Sequence, residues 1–255
     1  MMNFLKKPNE KIFNLRHLDR DVLLYRVLPH WIMELVRKYF RLEIEGLEHI
    51  PKKGPVVVAP NHSGYMGIDA ALLAHILTQN AKRIPRVLTH HLWFLTKTTA
   101  LPAQKMGFTE ATYKNGVAEL RKNHLVVIFP EGEAGNFKPT QKMYELQEFR
   151  RGFVRMALET GAPIVPCLVI GAEESQINLK KLKFTKFLKG LVIPLPLNVI
   201  PLPVKWKIKF LEPIHLPYEA SAARNLQLVR EISEELQERM QAALHAELRK
   251  RKSLF

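Results

Sequence analysis

Short apolar runs alternate with helix-like stretches along the middle of the chain. The runs are rich in valine, isoleucine and leucine, as buried strands are. They lie at 56–59, 86–89, 125–129 and 164–170. Apolar residues at helical spacing follow them at 70–77, 115–122 and 152–160. Alternating strands and helices predict an α/β fold in a single domain, with a mixed, mostly parallel sheet flanked by helices.

Both ends of the chain predict amphipathic helices outside this central pattern. Residues 1–41 form an N-terminal helical segment whose main helix, at 21–40, should be kinked or divided at Pro29. Residues 42–215 hold the α/β domain, which opens with a short strand at 42–44. Residues 216–255 contain a long C-terminal amphipathic helix.

Two residues inside the domain modify individual elements. Pro166 should break the strand at 164–170, because proline cannot donate a backbone hydrogen bond. Asp69 is a natural N-cap for the helix that follows it. Strand-like alternation resumes at 204–210.

Charge points to an anionic partner. The 255 residues contain 39 Lys and Arg against 24 Asp and Glu, a surplus of 15. Lipid headgroups, nucleic acid and a phosphorylated substrate all remain open on charge alone. A single cysteine, Cys167, and an N-terminus without the apolar segment of a signal peptide predict a cytoplasmic protein. No apolar stretch reaches the roughly 18 residues that a spanning helix needs.

The first candidate for chemistry is the turn after the strand at 56–59. His62 and Asp69 stand at its two ends, with Gly64 and Gly67 between them. In a straight helix, seven rises of about 1.5 Å would separate them too far for a hydrogen bond, so they must meet through a turn. A carboxylate bonded to one imidazole nitrogen leaves the other free to take a proton from a hydroxyl. The same two residues would also serve as plain loop and helix caps.

The second candidate is the turn after the strand at 125–129. It delivers Glu131 and then glycines at 132 and 135, whose backbone can approach a ligand closely. Lys138, Arg150 and Arg151 follow, and their side chains are candidates for gripping a phosphate. Ordinary surface charges around a solvated turn would look alike. Both candidates fall just past the end of a strand, where parallel sheets place their sites.

Taken together, these blocks resemble a known family. Asn61-His62 with a downstream Asp, Phe129-Pro130-Glu131-Gly132, and Ala162 to Pro166 resemble, in order and spacing, the glycerolipid acyltransferase family that includes 1-acylglycerol-3-phosphate acyltransferase. The resemblance covers roughly residues 40–215. It implies transfer of a fatty acyl group from acyl-CoA or acyl carrier protein to a hydroxyl of a lysophospholipid or related glycerolipid, with no metal and no further cofactor.

The resemblance also implies roles for individual residues. His62 would be the general base and Asp69 its orienting carboxylate. Glu131 with Gly132 would help bind the glycerol-phosphate part of the acceptor, and the segment 163–166 would shape the site. The remaining predicted substrate-binding residues are Asn61, Ser63, Gly64, Lys138, Arg150 and Arg151.

Three departures from the family pattern stand out. The usual spacing puts four residues between His and Asp, but here that position is Gly67 and Asp69 comes two residues later; Ser63-Gly64 is similar to the extended loop of a bacterial subgroup. The family's phosphate-binding arginine block is absent at 108–111, where Arg150 or Arg151 would have to substitute. Glu133 stands where many members have a small hydroxyl residue.

A basic, proline-apolar segment at 175–211 predicts contact with an anionic membrane surface. It contains eight lysines and no acid. The apolar residues expected to enter the bilayer interface are Leu191, Ile193, Leu195, Leu197 and Ile200. The alternative is an internal β-hairpin with solvated lysines. The helix at 21–40 would be a second membrane contact or a core-packing helix.

The two function classes that follow are a peripheral acyltransferase on the inner face of the membrane and a noncatalytic protein that binds anionic membranes. Nucleic acid is not favoured, because aromatic residues are sparse among the lysines. Oxyanion donors stay open between backbone amides near Gly64 and the side chain of His91. His75, His90 and His124 are expected to be ordinary packed or surface histidines, and Cys167 is expected to be a core residue.

Overall fold

A seven-stranded sheet forms the centre of the protein. The computed structural model describes residues 20–62, 67–136, 138–183, 192–198 and 200–255. The strands of the central sheet are β1 Glu43–Glu45, β2 Val56–Pro60, β3 Pro85–Thr89, β4 Phe108–Glu110, β5 Leu125–Val127, β6 Ile164–Ile170 and β9 Lys207–Phe210. A separate two-stranded antiparallel sheet pairs β7 Asn178–Lys183 with β8 Val192–Pro196.

The order of the central strands is β1-β9-β6-β2-β5-β3-β4. Every neighbouring pair is parallel except β6 with β9. The predicted mixed, mostly parallel sheet is therefore confirmed. Since β2 and β5 are parallel neighbours, the two turns that carry the candidate chemistry leave the same edge of the sheet side by side.

Helices cover both faces of this sheet. They are α1 Leu28–Tyr39, α2 Ile68–Gln79, α3 Lys97–Lys105, α4 Tyr113–Arg121, α5 Glu133–Asn136, α6 Gly152–Thr160 and α7 Leu226–Lys250. Within β2, Val57 and Ala59 pack into an apolar cluster on one face, whereas Val56 and Val58 pack into a second cluster on the other. Both faces are buried, which explains why the strands are continuous apolar runs rather than alternating ones.

The C-terminal helix belongs to the same core. Leu236, Met240 and Leu244 on α7 are buried in the cluster that also holds residues of α4 and α6. Asn225 caps the helix, because its side-chain oxygen accepts a hydrogen bond from the Leu228 backbone N–H. Residues 226–250 are thus part of the α/β domain and complete one of its apolar layers.

The N-terminal helix turns its apolar side outward. Five residues at helical spacing are well exposed: Leu28, Trp31, Ile32, Leu35 and Tyr39. The opposite side contacts α2, where Glu34 Oε1 lies 2.8 Å from His75 Nε2. A π-helical turn, Leu23–Val27, precedes α1, and Pro29 stands in the first turn of α1, so the helical segment changes its hydrogen-bond pattern just before the predicted position. Among the described residues, no helix is both long and apolar enough to cross a bilayer.

Two local predictions are wrong. Pro166 does not break β6, which runs unbroken from Ile164 to Ile170. Its carbonyl accepts a hydrogen bond from Leu211 N, just past the last residue of β9, so its missing N–H falls at the end of that ladder. Asp69 is not an N-cap: Gly67 holds that position with φ +71°, and Asp69 lies in the first turn of α2.

The basic segment at 175–211 contains the hairpin β7–β8. Three of its lysines form ion pairs with acidic residues of other segments. Lys207 and Lys209 each contact both Glu45 and Glu247, and Lys205 pairs with Glu43. These three lysines therefore tie β9 to β1 and α7. Leu197 and Ile200 are exposed as predicted. Leu191 lies outside the described residues.

We predict that Glu247 stabilises the junction of α7 and the sheet in a pH-dependent way. Desolvation opposes its charge, yet hydrogen bonds from Lys207, Lys250 and Lys209 lower the pKa of Glu247 to about 2. Its contribution is therefore present above about pH 4.5 and is lost as the pH falls towards 2. Glu247→Gln should lower the free energy of unfolding by roughly 2 kcal/mol at pH 7, measured by denaturant titration.

The matched control is Glu238→Gln, an exposed residue of the same helix. It should change the free energy of unfolding by under about 0.5 kcal/mol. At pH 3 the gap between Glu247→Gln and the unmodified protein should narrow. An equal gap at both pH values would contradict the assignment.

Candidate active site

His62 and Asp69 meet across the turn that joins β2 to α2. His62 Nδ1 lies 2.7 Å from Asp69 Oδ2. The Asp69 carboxylate is fully buried, and its other oxygen accepts a hydrogen bond from the Ala70 backbone N–H at 2.8 Å. Because Gly67 adopts a left-handed conformation at the start of α2, Asp69 follows in the first helical turn with its carboxylate beside the ring. The carboxylate therefore fixes which side of the imidazole faces inward.

The other side of the His62 ring remains accessible. Its side chain is 16% exposed, and its ring packs on Phe129 with centroids 4.2 Å apart. No described residue forms a hydrogen bond with Nε2. An imidazole held in this way can accept a proton at Nε2 while Asp69 stabilises the resulting positive charge.

Glu131 fixes the backbone of His62. Its Oε1 accepts a hydrogen bond from the His62 N–H at 2.9 Å, and its Oε2 accepts one from the Gln147 N–H at 2.7 Å. The side chain is 1% exposed. Gly135 permits this burial, because a Cβ there would lie 2.6 Å from the Glu131 Cβ. The carboxylate thus joins the turn after β5 to the turn after β2 and to the loop at 147.

Asn61 fixes the same backbone from the other side. Its amide nitrogen donates to Val169 O at 3.0 Å, and its side-chain oxygen accepts from Val169 N at 2.7 Å. The residue is fully buried. These bonds extend the pairing of β2 with β6 to Asn61, the residue next to His62. The side chain of Asn61 therefore has a structural role in this geometry.

Lys138 also lies inside the protein, where it meets two carboxylates. It is 4% exposed, and its Nζ lies 2.9 Å from Glu173 Oε1 and 3.6 Å from Glu131 Oε2. It also donates to the Glu145 carbonyl at 3.1 Å. Burial raises the pKa of Glu173 to about 7, even though Lys138 acts in the opposite direction. The structure therefore does not place this ammonium at an open surface, where the predicted contact with a phosphate would occur.

Arg150 and Arg151 have a different setting. Both are exposed and line an open depression beside Glu131 and Ala134. The Arg150 guanidinium lies close against Gly132, because a Cβ at that glycine would be 3.0 Å from Arg150 Nε and 3.1 Å from its Cζ. Among the described residues, the acidic partner of Arg151 is Glu148, at the long distance of 3.8 Å. Among the predicted cationic residues, Arg150 is thus the one beside the Glu131 turn with its charge facing solvent.

A second imidazole and carboxylate pair lies at the same edge of the sheet. His90 follows β3, and its Nε2 lies 2.5 Å from Oε1 of Glu133, which follows β5. The His90 ring is 4.1 Å from that of His91, an exposed residue. The prediction of an ordinary packed or surface His90 did not foresee this pair. The available signal was that His90 follows a strand parallel to the one before Glu131.

Comparison with known proteins identifies the family of this chain. The family model described as Acyltransferase matches residues 41–170, about half of the chain. An uncharacterized protein of Mycobacterium tuberculosis is 34% identical over 248 residues, covering 89% of this chain and 69% of that protein. The chain belongs to the acyltransferase family. This acyltransferase is therefore an enzyme, and the resemblance predicted from its sequence blocks is confirmed.

Two further proteins are similar to the acyltransferase. A chicken protein named DGAT1/2-independent enzyme synthesizing storage lipids is 23% identical over 222 residues, covering 86% of this chain and 62% of that protein. The crystal structure of the 1-acyl-sn-glycerophosphate (LPA) acyltransferase PlsC from Thermotoga maritima aligns with a TM-score of 0.51 at 19% identity, covering 87% of this chain and 84% of that one. The structural likeness supports the α/β fold.

The structure brings some of the predicted site residues of the acyltransferase together and separates others. His62, Asp69, Glu131 and Asn61 converge on one turn, with Gly132 beside them. Lys138 is turned inward, whereas Arg150 and Arg151 stay at the surface. Ser63 and Gly64 lie outside the described residues. Gln147 and Glu173 were not predicted, because one contributes its backbone and the other lies in a loop distant in sequence. Cys167 is fully buried, as expected of a core residue.

Proposed function

We propose that this acyltransferase moves a fatty acyl group from acyl-CoA or acyl carrier protein to the hydroxyl of a lysophospholipid or related glycerolipid. The contact between His62 Nδ1 and Asp69 Oδ2, at 2.7 Å, carries the proposal, since it leaves Nε2 accessible. Family membership supports acyl transfer. The names of the chicken and Thermotoga relatives, which refer to storage lipids and to 1-acyl-sn-glycerophosphate, support a glycerolipid acceptor.

In the proposed mechanism, His62 is a general base and no acyl-enzyme forms. Nε2 takes the proton of the acceptor hydroxyl as its oxygen attacks the thioester carbonyl carbon. The tetrahedral oxyanion then collapses, the carbon–sulfur bond breaks, and the imidazolium returns the proton to the departing thiolate. Asp69 stabilises the imidazolium between these steps and keeps the ring oriented.

Arg150 is the proposed contact for a phosphate on the acceptor. It is exposed, it lies against Gly132 next to the buried Glu131, and the arginine block of the family is absent from 108–111. A guanidinium can bind two phosphate oxygens at once. Lys138 is left out of this role, because its ammonium is buried against Glu173 and Glu131.

Peripheral attachment to an anionic membrane, on its cytoplasmic face, is the second part of the proposal. The apolar side of α1 faces outward, and Trp31 and Leu35 are each 69% exposed. Tyr39 donates a hydrogen bond to Pro201 O, which places the exposed Ile200 region beside the end of α1. An outward apolar stripe on a chain with a surplus of 15 positive charges suits a bilayer interface with anionic lipids.

The alternative function is membrane binding without catalysis. It would use the same apolar stripe and the same positive charge but would need no accessible imidazole. The His62 geometry favours the enzyme, because the Asp69 contact engages Nδ1 and orients a ring whose side chain is 16% exposed.

We predict that His62→Gln and Asp69→Asn both lower acyl transfer. His62→Gln removes the base and should reduce kcat by at least about a thousandfold. Asp69→Asn should reduce it by about a hundredfold or more, because the amide no longer fixes the ring or stabilises its charge. The measurement is mass analysis of products from a panel of acyl donors, comprising acyl-CoAs and acyl carrier proteins, with lysolipids.

The matched control is His124→Gln. His124 also contacts a carboxylate at 2.7 Å, that of Glu119, but it precedes β5 and so lies at the opposite edge of the sheet. Its replacement should leave kcat within about twofold. Unchanged kcat in His62→Gln would remove His62 from the mechanism, and vesicle binding without transfer by the unmodified protein would favour the noncatalytic alternative.

We predict that Trp31→Glu combined with Leu35→Glu weakens vesicle binding. Two buried carboxylates at the bilayer interface should reduce the partition coefficient on vesicles with phosphatidylserine at least about tenfold. Leu226→Glu changes an equally exposed residue, 68% accessible, at the start of α7 and should have little effect. Vesicle binding is measured by co-sedimentation. An equal loss of binding in the α1 double variant and in Leu226→Glu would contradict a membrane contact specific to α1.

A further inference from the structure

We infer that Lys138 and Glu173 are positioning residues that hold His62 in its reactive place through the Glu131 carboxylate. Neither residue touches the His62 ring. Each acts by fixing the next group in a chain of buried contacts that runs from the end of β6 to the end of β2. The catalytic meaning of this chain rests on the proposed function, whereas the placement of the His62 backbone can be tested without it.

Glu131 is the last link before His62. Its two oxygens accept hydrogen bonds from two backbone N–H groups, those of His62 and Gln147. Such a two-point contact restrains the direction of the carboxylate and therefore the position of the His62 amide.

Lys138 places a positive charge beside the Glu131 carboxylate. Burying a charged carboxylate costs free energy unless a cation or hydrogen-bond donors compensate, and Glu131 is 1% exposed. The Lys138 ammonium is 3.6 Å from Glu131 Oε2, closer than water can insert freely, and it is itself 4% exposed. Its bond to the Glu145 carbonyl holds it within the loop that also carries the Gln147 amide.

Glu173 holds Lys138 from the opposite side. Glu173 Oε1 lies 2.9 Å from the ammonium, and its Oε2 accepts a hydrogen bond from Tyr144 N at 2.8 Å. Tyr144 has a left-handed backbone, φ +63°, and its hydroxyl accepts from Gly171 N. The strained loop residue is therefore tied at both ends to the segment after β6.

These contacts link the ends of three neighbouring strands. Glu173 follows β6, Glu131 follows β5 and His62 follows β2, with β2 between the other two in the sheet. A single lysine serves two carboxylates in this chain of contacts. Loss of the lysine would remove the described cation that contacts both buried carboxylates, so Glu131 would shift and hold the His62 amide less firmly.

The test follows the His62 backbone amide directly. Protein labelled with ¹⁵N-histidine has ten histidines, and the His62 amide signal is assigned by its absence in His62→Gln. In Lys138→Met, hydrogen exchange of that amide should accelerate by about tenfold or more and its signal should move. Lys142→Met, which changes an exposed lysine of the same segment, should leave both unchanged.

Glu173→Gln keeps the test decisive if Lys138→Met does not fold. The amide retains the shape of the side chain but removes the charge that holds the ammonium in place, so Lys138 and Glu131 should move and the His62 amide signal should shift. An unmoved signal and unchanged exchange in folded Lys138→Met, or in Glu173→Gln if only that variant folds, would overturn the inference.

Kinetics then separate positioning from simple destabilisation. Lys138→Met should lower kcat for acyl transfer about tenfold with KM within about twofold. In a Glu131→Gln background the same change should cost less than about twofold, because the link it acts through is already lost. Effects that multiply across the two backgrounds would overturn the inference. If the unmodified enzyme transfers no acyl group, the proposed function fails, and amide exchange alone decides the positioning role.

Discussion

The bridge that Glu131 makes between two backbone amides is the contact on which the site depends. It joins the turn after β5 to the His62 amide and to the Gln147 amide. Asn61, the residue before His62, is hydrogen-bonded to Val169 in β6, and Asp69 holds the His62 ring. The backbone of His62 is therefore restrained by Glu131 and by the neighbouring Asn61, and its ring is restrained by Asp69 at Nδ1. Nε2 has no described hydrogen-bond partner, so in the proposed mechanism the base is oriented before any substrate arrives.

Much of the fold could be predicted, because burial on both faces gives each central strand a continuous apolar run. The helix α3 and the strand β4 were missed. They lie at the edge of the sheet, where Leu101 and Met106 remain exposed and apolar periodicity is weak. The effect of Pro166 was misjudged, since the direction of a missing N–H depends on the neighbouring strand. The ion pairs of Lys207 and Lys209 join segments that are distant in sequence, so local composition could not reveal them.

The site was predictable where a strand end determines it. His62 and Glu131 follow parallel neighbours, and a parallel sheet brings such residues together. The burial of the Lys138 side chain was not predictable. The local sequence around a lysine after a glycine-containing turn is the same whether the side chain is buried or exposed. Here the Glu173 carboxylate draws it inward. That contact depends on how the 138–151 loop packs on the segment after β6, which no local pattern encodes. The assignment of Glu131 to acceptor binding likewise overlooked a backbone amide as its partner.

The central claim is that Asp69 accepts a hydrogen bond from Nδ1 of His62 and leaves Nε2 as the base. The ¹⁵N ring shifts of His62, read in protein labelled with ¹⁵N-histidine and assigned with His62→Gln, test it most directly. In the neutral ring, Nδ1 should carry the proton and Nε2 should not. Asp69→Asn should remove that preference. A neutral His62 protonated at Nε2 in the unmodified protein would contradict the account.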